Sequence, residues 1–305
     1  MRAELDVTVA LARALLREQH PDLAALPLRV AANGWDNVMV RAGERLVLRL
    51  PRRAAAAPLV EHERAALPLL APTLRRAVPD VVVPVPLRAG APSAALGYPW
   101  PWSVAPWADG VAAAATPVPA RRAWAPTLGR LLAALHRPPG GGVLAPHNPF
   151  RGVPLRQRAR PALAETEPGA RLWDAALAAA PYDGPPVWLH GDPHPANLVV
   201  APASHHGARD RLAAVVDFGD VTAGDPASDL GSLWLTFDAA GRAACRDALT
   251  TAGAGPGGAG WDEATWTRAR GWALVYASAM LAHPDLHPGL APIGEHAIGE
   301  LFAGR

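Results

Sequence analysis

The chain of 305 residues is 50% hydrophobic and carries 29 basic against 27 acidic residues, a net charge of +2, with arginine supplying every full positive charge. That length buries a sizeable core without staples, and a lone cysteine, Cys245, excludes an internal disulfide and fits a reducing compartment. Dispersed arginine pairs without an aromatic platform argue against nucleic-acid binding, and the longest uncharged apolar run, Gly271 to Ala282, is shorter than the roughly 18 residues of a membrane helix.

In chain order, the stripe of Leu5, Val9, Leu11, Leu15 and Leu16 predicts an amphipathic amino-terminal helix rather than a secretion signal, and the chain is read as cytoplasmic. Val38–Arg41 and Arg45–Leu50 read as paired strands around Ala42-Gly43-Glu44, with Pro51 ending the second. A helix is expected over Pro58–Leu70, then a strand over Val81–Leu87 that Pro84 and Pro86 confine to an edge. Proline and tryptophan stiffen Tyr98–Pro106, where composition changes. The lobe boundary therefore falls near 105–110, giving lobes 1–107 and 108–305.

Helical spacing marks Arg121–Arg137, and Pro138-Pro139 with three glycines stops it. The Pro-, Gly- and Arg-rich stretch from Pro138 to Pro168 reads as an insertion over the substrate face. Further helices are predicted at 169–180, 225–237, 239–252 and 262–282.

Chemistry concentrates in Val187-Trp-Leu-His190-Gly-Asp192-Pro-His194-Pro-Ala-Asn197-Leu-Val-Val200, two apolar strands around a tight polar loop. Polar groups packed into such a turn are costly to desolvate unless bonded or used. A second strand, Leu212–Val216, ends in Asp217. Phosphoryl transfer needs a carboxylate to orient the attacking hydroxyl and hard oxygen ligands for magnesium on the phosphates, and Asp192, Asn197 and Asp217 supply them.

The His190-Gly-Asp192-x4-Asn197 loop, Val216-Asp217-Phe-Gly, Gly224-Asp225-Pro-Ala-Ser-Asp229-Leu and the helix ending Leu135-His136 together resemble the aminoglycoside phosphotransferase family, small-molecule relatives of the protein kinases. Gly34-Trp-Asp-Asn37 and Val47-Leu-Arg49-Leu-Pro fit that family's nucleotide lobe, so the resemblance spans essentially the whole chain. It implies a bilobal α+β fold with a mainly β amino-terminal lobe and a mainly helical carboxy-terminal lobe. It implies transfer of the γ-phosphate of ATP or GTP, with Mg2+, to a hydroxyl of a small and possibly cationic acceptor. An aminoglycoside or related amino sugar is that acceptor by resemblance, which would make the reaction an antibiotic inactivation; the protein would act as a monomer or homodimer.

Carried over by residue, Asp192 is the catalytic base, Asn197 and Asp217 are magnesium ligands, and Asp229 braces the loop through His190 or backbone amides. In the nucleotide lobe, Arg49 stands where the family has lysine, with Glu63 as its partner and Glu61 as a fallback. Arginine keeps the charge but presents a larger, differently aimed fork. Gly34, Asp36 and Asn37 would form the turn over the phosphates, and the Pro106 carbonyl and Ala108 amide would meet the base edge.

Other readings accompany this one. Arg49 keeps open a catalytically silent nucleotide-binding protein, and a macrolide, a sugar or an amino alcohol rivals the aminoglycoside. A polycationic acceptor would need carboxylates, for which Asp238, Asp262, Glu263, Asp285, Glu295 and Glu300 are available. The alternation of His190, Asp192 and His194 is compatible with a metallohydrolase, although His205 and His206 read as solvated.

Overall fold

The structure, a computed structural model, describes residues 3–34, 36–203, 209–282, 284 and 289–303. Its contacts divide it into two compact units, Met1–Ala71 with Val82–Ala108, and Pro72–Val81 with Asp109–Arg305.

In the first unit, α1 (Val9–Gln19) starts at Thr8, whose hydroxyl accepts from the Leu11 amide at 3.1 Å, and it buries Ala12, Leu15 and Leu16. The strands β1 (Leu28–Asn33), β2 (Asn37–Ala42) and β3 (Leu46–Pro51) follow. Gly43 makes the β2–β3 turn at φ 59°, a left-handed conformation that glycine adopts without a Cβ penalty. Then come α2 (Ala57–Ala77), which runs into the second unit, β4 (Arg88–Gly90) and β5 (Trp102–Pro106). The sheet is antiparallel throughout, in the order β1-β2-β3-β5-β4.

Strand parity sorts the sheet's faces. Val38, Val40, Leu48 and Leu50 join Leu15, Leu16, Tyr98 and Trp102 in one core. Met39 and Arg49, paired across β2 and β3, therefore point to the opposite side, towards α2.

Val81–Leu87 is not the strand expected from its valines. Pro84 and Pro86 have no N–H to give a ladder, so pairing begins with the Leu87 amide on the Val104 carbonyl, at 2.7 Å, and the strand is Arg88–Gly90. Conversely, the stiff connection at 102–106 pairs as a strand, because its only proline there, Pro106, sits at the end.

The second unit begins with β6 (Val111–Ala112) and α3 (Val118–Arg121), then a 3-10 turn at Arg122–Trp124 and α4 (Ala125–Leu135). The helix predicted over Arg121–Arg137 is thus shorter and restarts at Ala125, with Pro126 in the first turn, a position proline suits. Residues 138–166 hold only two 3-10 turns, Leu155–Gln157 and Ala162–Glu165. After them come α5 (Glu167–Ala178), β7 (Val187–Leu189), β8 (Leu198–Ala201), β9 (Arg211–Val215) and β10 (Thr222–Gly224).

The helices α6 (Ala227–Leu230), α7 (Ser232–Thr236), α8 (Ala239–Thr251), α9 (Glu263–Leu281) and α10 (Ala291–Phe302) complete the unit. The helix expected over 225–237 breaks into α6 and α7 at Gly231, and α10 was not anticipated. Buried residues surround α9 on nearly every side, and it packs on α5, α6, α7 and α10 as the unit's central helix. No helix among the described residues is long and apolar enough to cross a membrane.

Candidate active site

Two short ladders in the second unit bring the polar loop and Asp217 together. β10 pairs with β7, Thr222 opposite Leu189, which fixes the loop's entry. β8 pairs with β9, Leu198 opposite Val215, which fixes its exit. The Val216 amide then donates to the Asn197 carbonyl at 3.0 Å, and Asp217 follows directly. Asp192, Asn197 and Asp217 are thereby drawn to one end of both ladders.

Asp229 holds the loop from behind. Its carboxylate is fully buried and accepts from the His190 amide at 2.8 Å, the Gly191 amide at 2.9 Å and His136 Nε2 at 3.2 Å. Three donors compensate for burying the charge. Asp229 thus bonds two backbone amides of the loop, with His136 as an additional partner. Gly191 takes φ 90°, and a Cβ there would lie 2.2 Å from the Asp220 carbonyl oxygen, so neither the conformation nor the space admits a side chain.

His190 is a bonded structural histidine. Its Nδ1 accepts from the Asp192 amide at 3.2 Å and its Nε2 faces the Val216 carbonyl at 3.0 Å, which fixes a neutral tautomer with the proton on Nε2. Burial lowers its pKa, against the opposing pull of Asp229 and Asp192, and keeps it neutral.

Asp192 is gripped on both oxygens. Arg151 Nη2 donates to Oδ1 at 3.0 Å, and His194 Nε2 lies 3.3 Å from Oδ2. Because His194 Nδ1 accepts from the Ala196 amide at 3.2 Å, the neutral imidazole carries its proton on Nε2 and donates it to Asp192. Burial alone would raise the pKa of Asp192, but Arg151 and His194 outweigh it and hold the carboxyl well below the usual range.

Asn197 Nδ2 donates to the Asp192 carbonyl at 3.0 Å, which turns Oδ1 the other way. Asp217 adopts φ 63°, ψ 62° and is the only non-glycine residue with positive φ among the described residues. Such a backbone costs on the order of 1 kcal/mol or more and persists only where its surroundings fix it. An amide oxygen and a carboxylate are hard donors of the kind magnesium takes, so the pair fits that ion. Among the described residues no cluster of three or more His, Cys, Asp or Glu could hold a metal by itself, and His205 and His206 lie outside those residues.

In the first unit Arg49 Nη1 meets Glu63 Oε1 at 2.5 Å, both side chains buried, and the Asn37 amide lies against the same guanidinium, where turning its oxygen inward lets it accept from Arg49 Nη2 at 3.2 Å. Strand parity explains this trio, since Asn37 and Arg49 share the face opposite the α1 core. Glu61 pairs instead with Arg64. The Gly34 amide closes the β1–β2 turn on the Asn37 carbonyl at 2.9 Å, and Asp36 pairs with Arg53 Nε at 2.5 Å. These two therefore shape the turn through their own bonds. Pro106 ends β5 opposite Leu46, with Ala108 two residues beyond.

Sequence reasoning missed Arg151. It lies in the irregular stretch before α5, where no periodicity singles out one arginine from its neighbours, yet it reaches the central carboxylate. Tyr276 of α9 was also missed; its ring lies 4.9 Å below the Arg151 guanidinium carbon, and its hydroxyl is 2.9 Å from Ser228 Oγ.

Comparison with known proteins bears on the fold and the family. No curated protein sequence matches the chain. Among solved structures, the GDP and kanamycin complex of APH(2")-IIia shares 18% identity at a TM-score of 0.62, over 94% of this chain and 98% of that one. A macrolide 2'-phosphotransferase from Brachybacterium faecium shares 23% at 0.55, over 98% and 99%. A choline/ethanolamine kinase family protein from Mesorhizobium loti shares 23% at 0.53, over 95% and 91%. At these identities the likeness is one of fold, and it supports the α+β architecture with a sheet-rich amino-terminal region and a helical carboxy-terminal region. The family model of the phosphotransferase enzyme family matches residues 27–272, most of the chain. The chain belongs to the phosphotransferase enzyme family.

Proposed function

We propose that the protein transfers the γ-phosphate of ATP or GTP, with Mg2+, to a hydroxyl of a small polar molecule. The observation that carries this reading is the loop itself, in which Asp192 stands beside Asn197 and Asp217 while Asp229 pins the loop's backbone. Asp192 would orient the acceptor hydroxyl and take its proton. A carboxylate so acidic is a weak base towards an alcohol before bonds change, so positioning is its larger share, as suits a loose phosphoryl-transfer transition state.

Asn197 Oδ1 and the Asp217 carboxylate would hold the metal. Magnesium, when bound, would neutralise charge on the phosphates. The unit of residues 1–71 and 82–108 would hold the nucleotide and the other unit would carry catalysis and the acceptor. Arg49, oriented by Glu63 and Asn37, would meet the α- and β-phosphates; the turn at Gly34–Asn37 would cover them. The Pro106 carbonyl and Ala108 amide would meet the base. Because Arg49 and Glu63 form a buried ion pair, the pairing expected of lysine and glutamate survives the substitution, which favours an active enzyme over a silent binder.

For the acceptor, an aminoglycoside or related amino sugar is the expectation from resemblance, and kanamycin is named in one structural relative. A macrolide, sugar or amino alcohol is the rival class. The test measures ADP or GDP release across all four classes, with and without a chelator. Acceptor-dependent release that the chelator abolishes is the expected result; tight nucleotide binding without acceptor-dependent release would support the silent alternative.

A further inference from the structure

Asp192 opens into a cavity of about 150 Å3 within the second unit, lined by Arg151, His194, Tyr276, Met280 and Leu290 among others. Asp192 is the only carboxylate on its wall among the described residues. The remaining surface is one guanidinium, one imidazole, an aromatic ring and aliphatic groups. That is a poor environment for a polycation.

Asp220, partly exposed and bonded to Asn148 at 2.8 Å, is the nearest further carboxylate to Asp192 and Arg151, and it is not on the cavity wall. Of the acids named from the sequence, four are held by other partners. Asp238 caps α8 and meets Arg122 at 2.5 Å, and Asp262 caps α9. Glu263 pairs with Arg246 at 3.2 Å and Glu300 with Arg242 at 2.6 Å. Glu295 is exposed on α10, and Asp285 lies outside the described residues.

Arg151 is a built feature of this cavity. The Gly152 amide donates to Ser228 Oγ at 3.2 Å, Ser228 meets the Tyr276 hydroxyl, and the Tyr276 ring carries the guanidinium. One Nη2 hydrogen goes to Asp192. No other group among the described residues takes the remaining donors, and 20% of the side chain is exposed. Arg158 adds a second positive group close by, whose buried Nε has no partner. Burial and the neighbouring charge of Arg151 both lower its pKa.

We propose that Arg151 selects the acceptor, its unused donors receiving an oxygen that flanks the reacting hydroxyl, so that the preferred acceptor is a neutral or carboxylate-bearing alcohol without an ammonium group beside that hydroxyl. This rests on the phosphotransferase reading above. In the transfer, the acceptor oxygen bonds to the γ-phosphorus, its proton goes to Asp192, the bond to the bridging β-γ oxygen breaks and the nucleoside diphosphate leaves. Arg151 then fixes which face of the acceptor is presented, by the bidentate geometry a guanidinium offers to oxygen.

The experiment compares glucose, glucuronate, glucosamine and kanamycin as acceptors for the full chain with magnesium and ATP or GTP, in wild type, Arg151→Ala and Arg151→Lys. Thermal midpoints report whether each variant is folded. The expected result is a kcat/KM for glucose or glucuronate at least tenfold above glucosamine and kanamycin. In Arg151→Ala that gap should shrink at least fivefold, mainly through KM, and Arg151→Lys should restore part of it. A preference for the amines, a gap unaltered in Arg151→Ala, or no turnover of any of the four would overturn the inference. Slow magnesium-dependent hydrolysis of the nucleotide by water separates the two levels of the argument. If wild type neither binds nor hydrolyses either nucleotide, the phosphotransferase reading fails; if it does so without the predicted preference, only the role of Arg151 fails.

Discussion

Two arginine–aspartate pairs in the second unit use the same chemistry for opposite ends. Arg268 and Asp225, each 5% exposed, are saturated: Nε and Nη2 reach the carboxylate at 2.8 and 3.2 Å, Nη2 also meets Thr265 Oγ1 at 3.1 Å, and Nη1 donates to the Ala180 carbonyl. Asp225 further accepts from the Ala227 amide at 3.0 Å. Arg151 and Asp192 share a single bond at 3.0 Å and are 20% and 25% exposed. A complete set of partners marks a pair that holds the fold, whereas an incomplete one beside a cavity leaves valences for a ligand.

Substitutions can break that contrast. The largest effect is expected at Asp217→Ala, which should abolish magnesium-dependent nucleotide binding, read by titrating nucleotide with and without the metal. Arg268→Ala should cost about 3–5 kcal/mol, because it leaves Asp225 charged, buried and unpaired. Denaturant unfolding measures that loss, and kcat/KM per folded molecule should stay within about threefold of wild type. Asp229→Ala should cost roughly 3 kcal/mol, since it strands the His190 and Gly191 amides, and should also lower turnover by loosening the loop. Arg151→Ala should be the mildest for stability, under about 1 kcal/mol. A destabilisation at Arg151 as large as that at Arg268 would erase the distinction.

Much of the candidate site was legible because local chain order encodes it. His190 to Asn197 is a short loop between two apolar strands, and Leu212–Val216 is a strand ending in a carboxylate, so a β ribbon could bring both ends together without long-range information. The pairing of Arg49 with Glu63 was legible for a similar reason, since a strand residue and the following helix face each other. Arg151 was not, because its contact with Asp192 spans 41 residues through a segment with no regular hydrogen-bond pattern. Nor was the left-handed backbone of Asp217, a conformation that no local pattern announces. In the fold, Val81–Leu87 misled because β-branched composition outweighed the missing donors of two prolines. The helix α10 was hidden by Pro292, Gly294 and Gly299, although Ile293, Ala297 and Leu301 form a buried stripe at helical spacing.

The most direct test concerns Asp192 and compares acceptor-dependent nucleoside diphosphate release with nucleotide affinity in wild type and Asp192→Ala. The predicted result is a fall in kcat of about 100-fold or more with nucleotide affinity within roughly threefold of wild type. Wild-type turnover in Asp192→Ala would contradict the assignment of phosphoryl transfer to this loop.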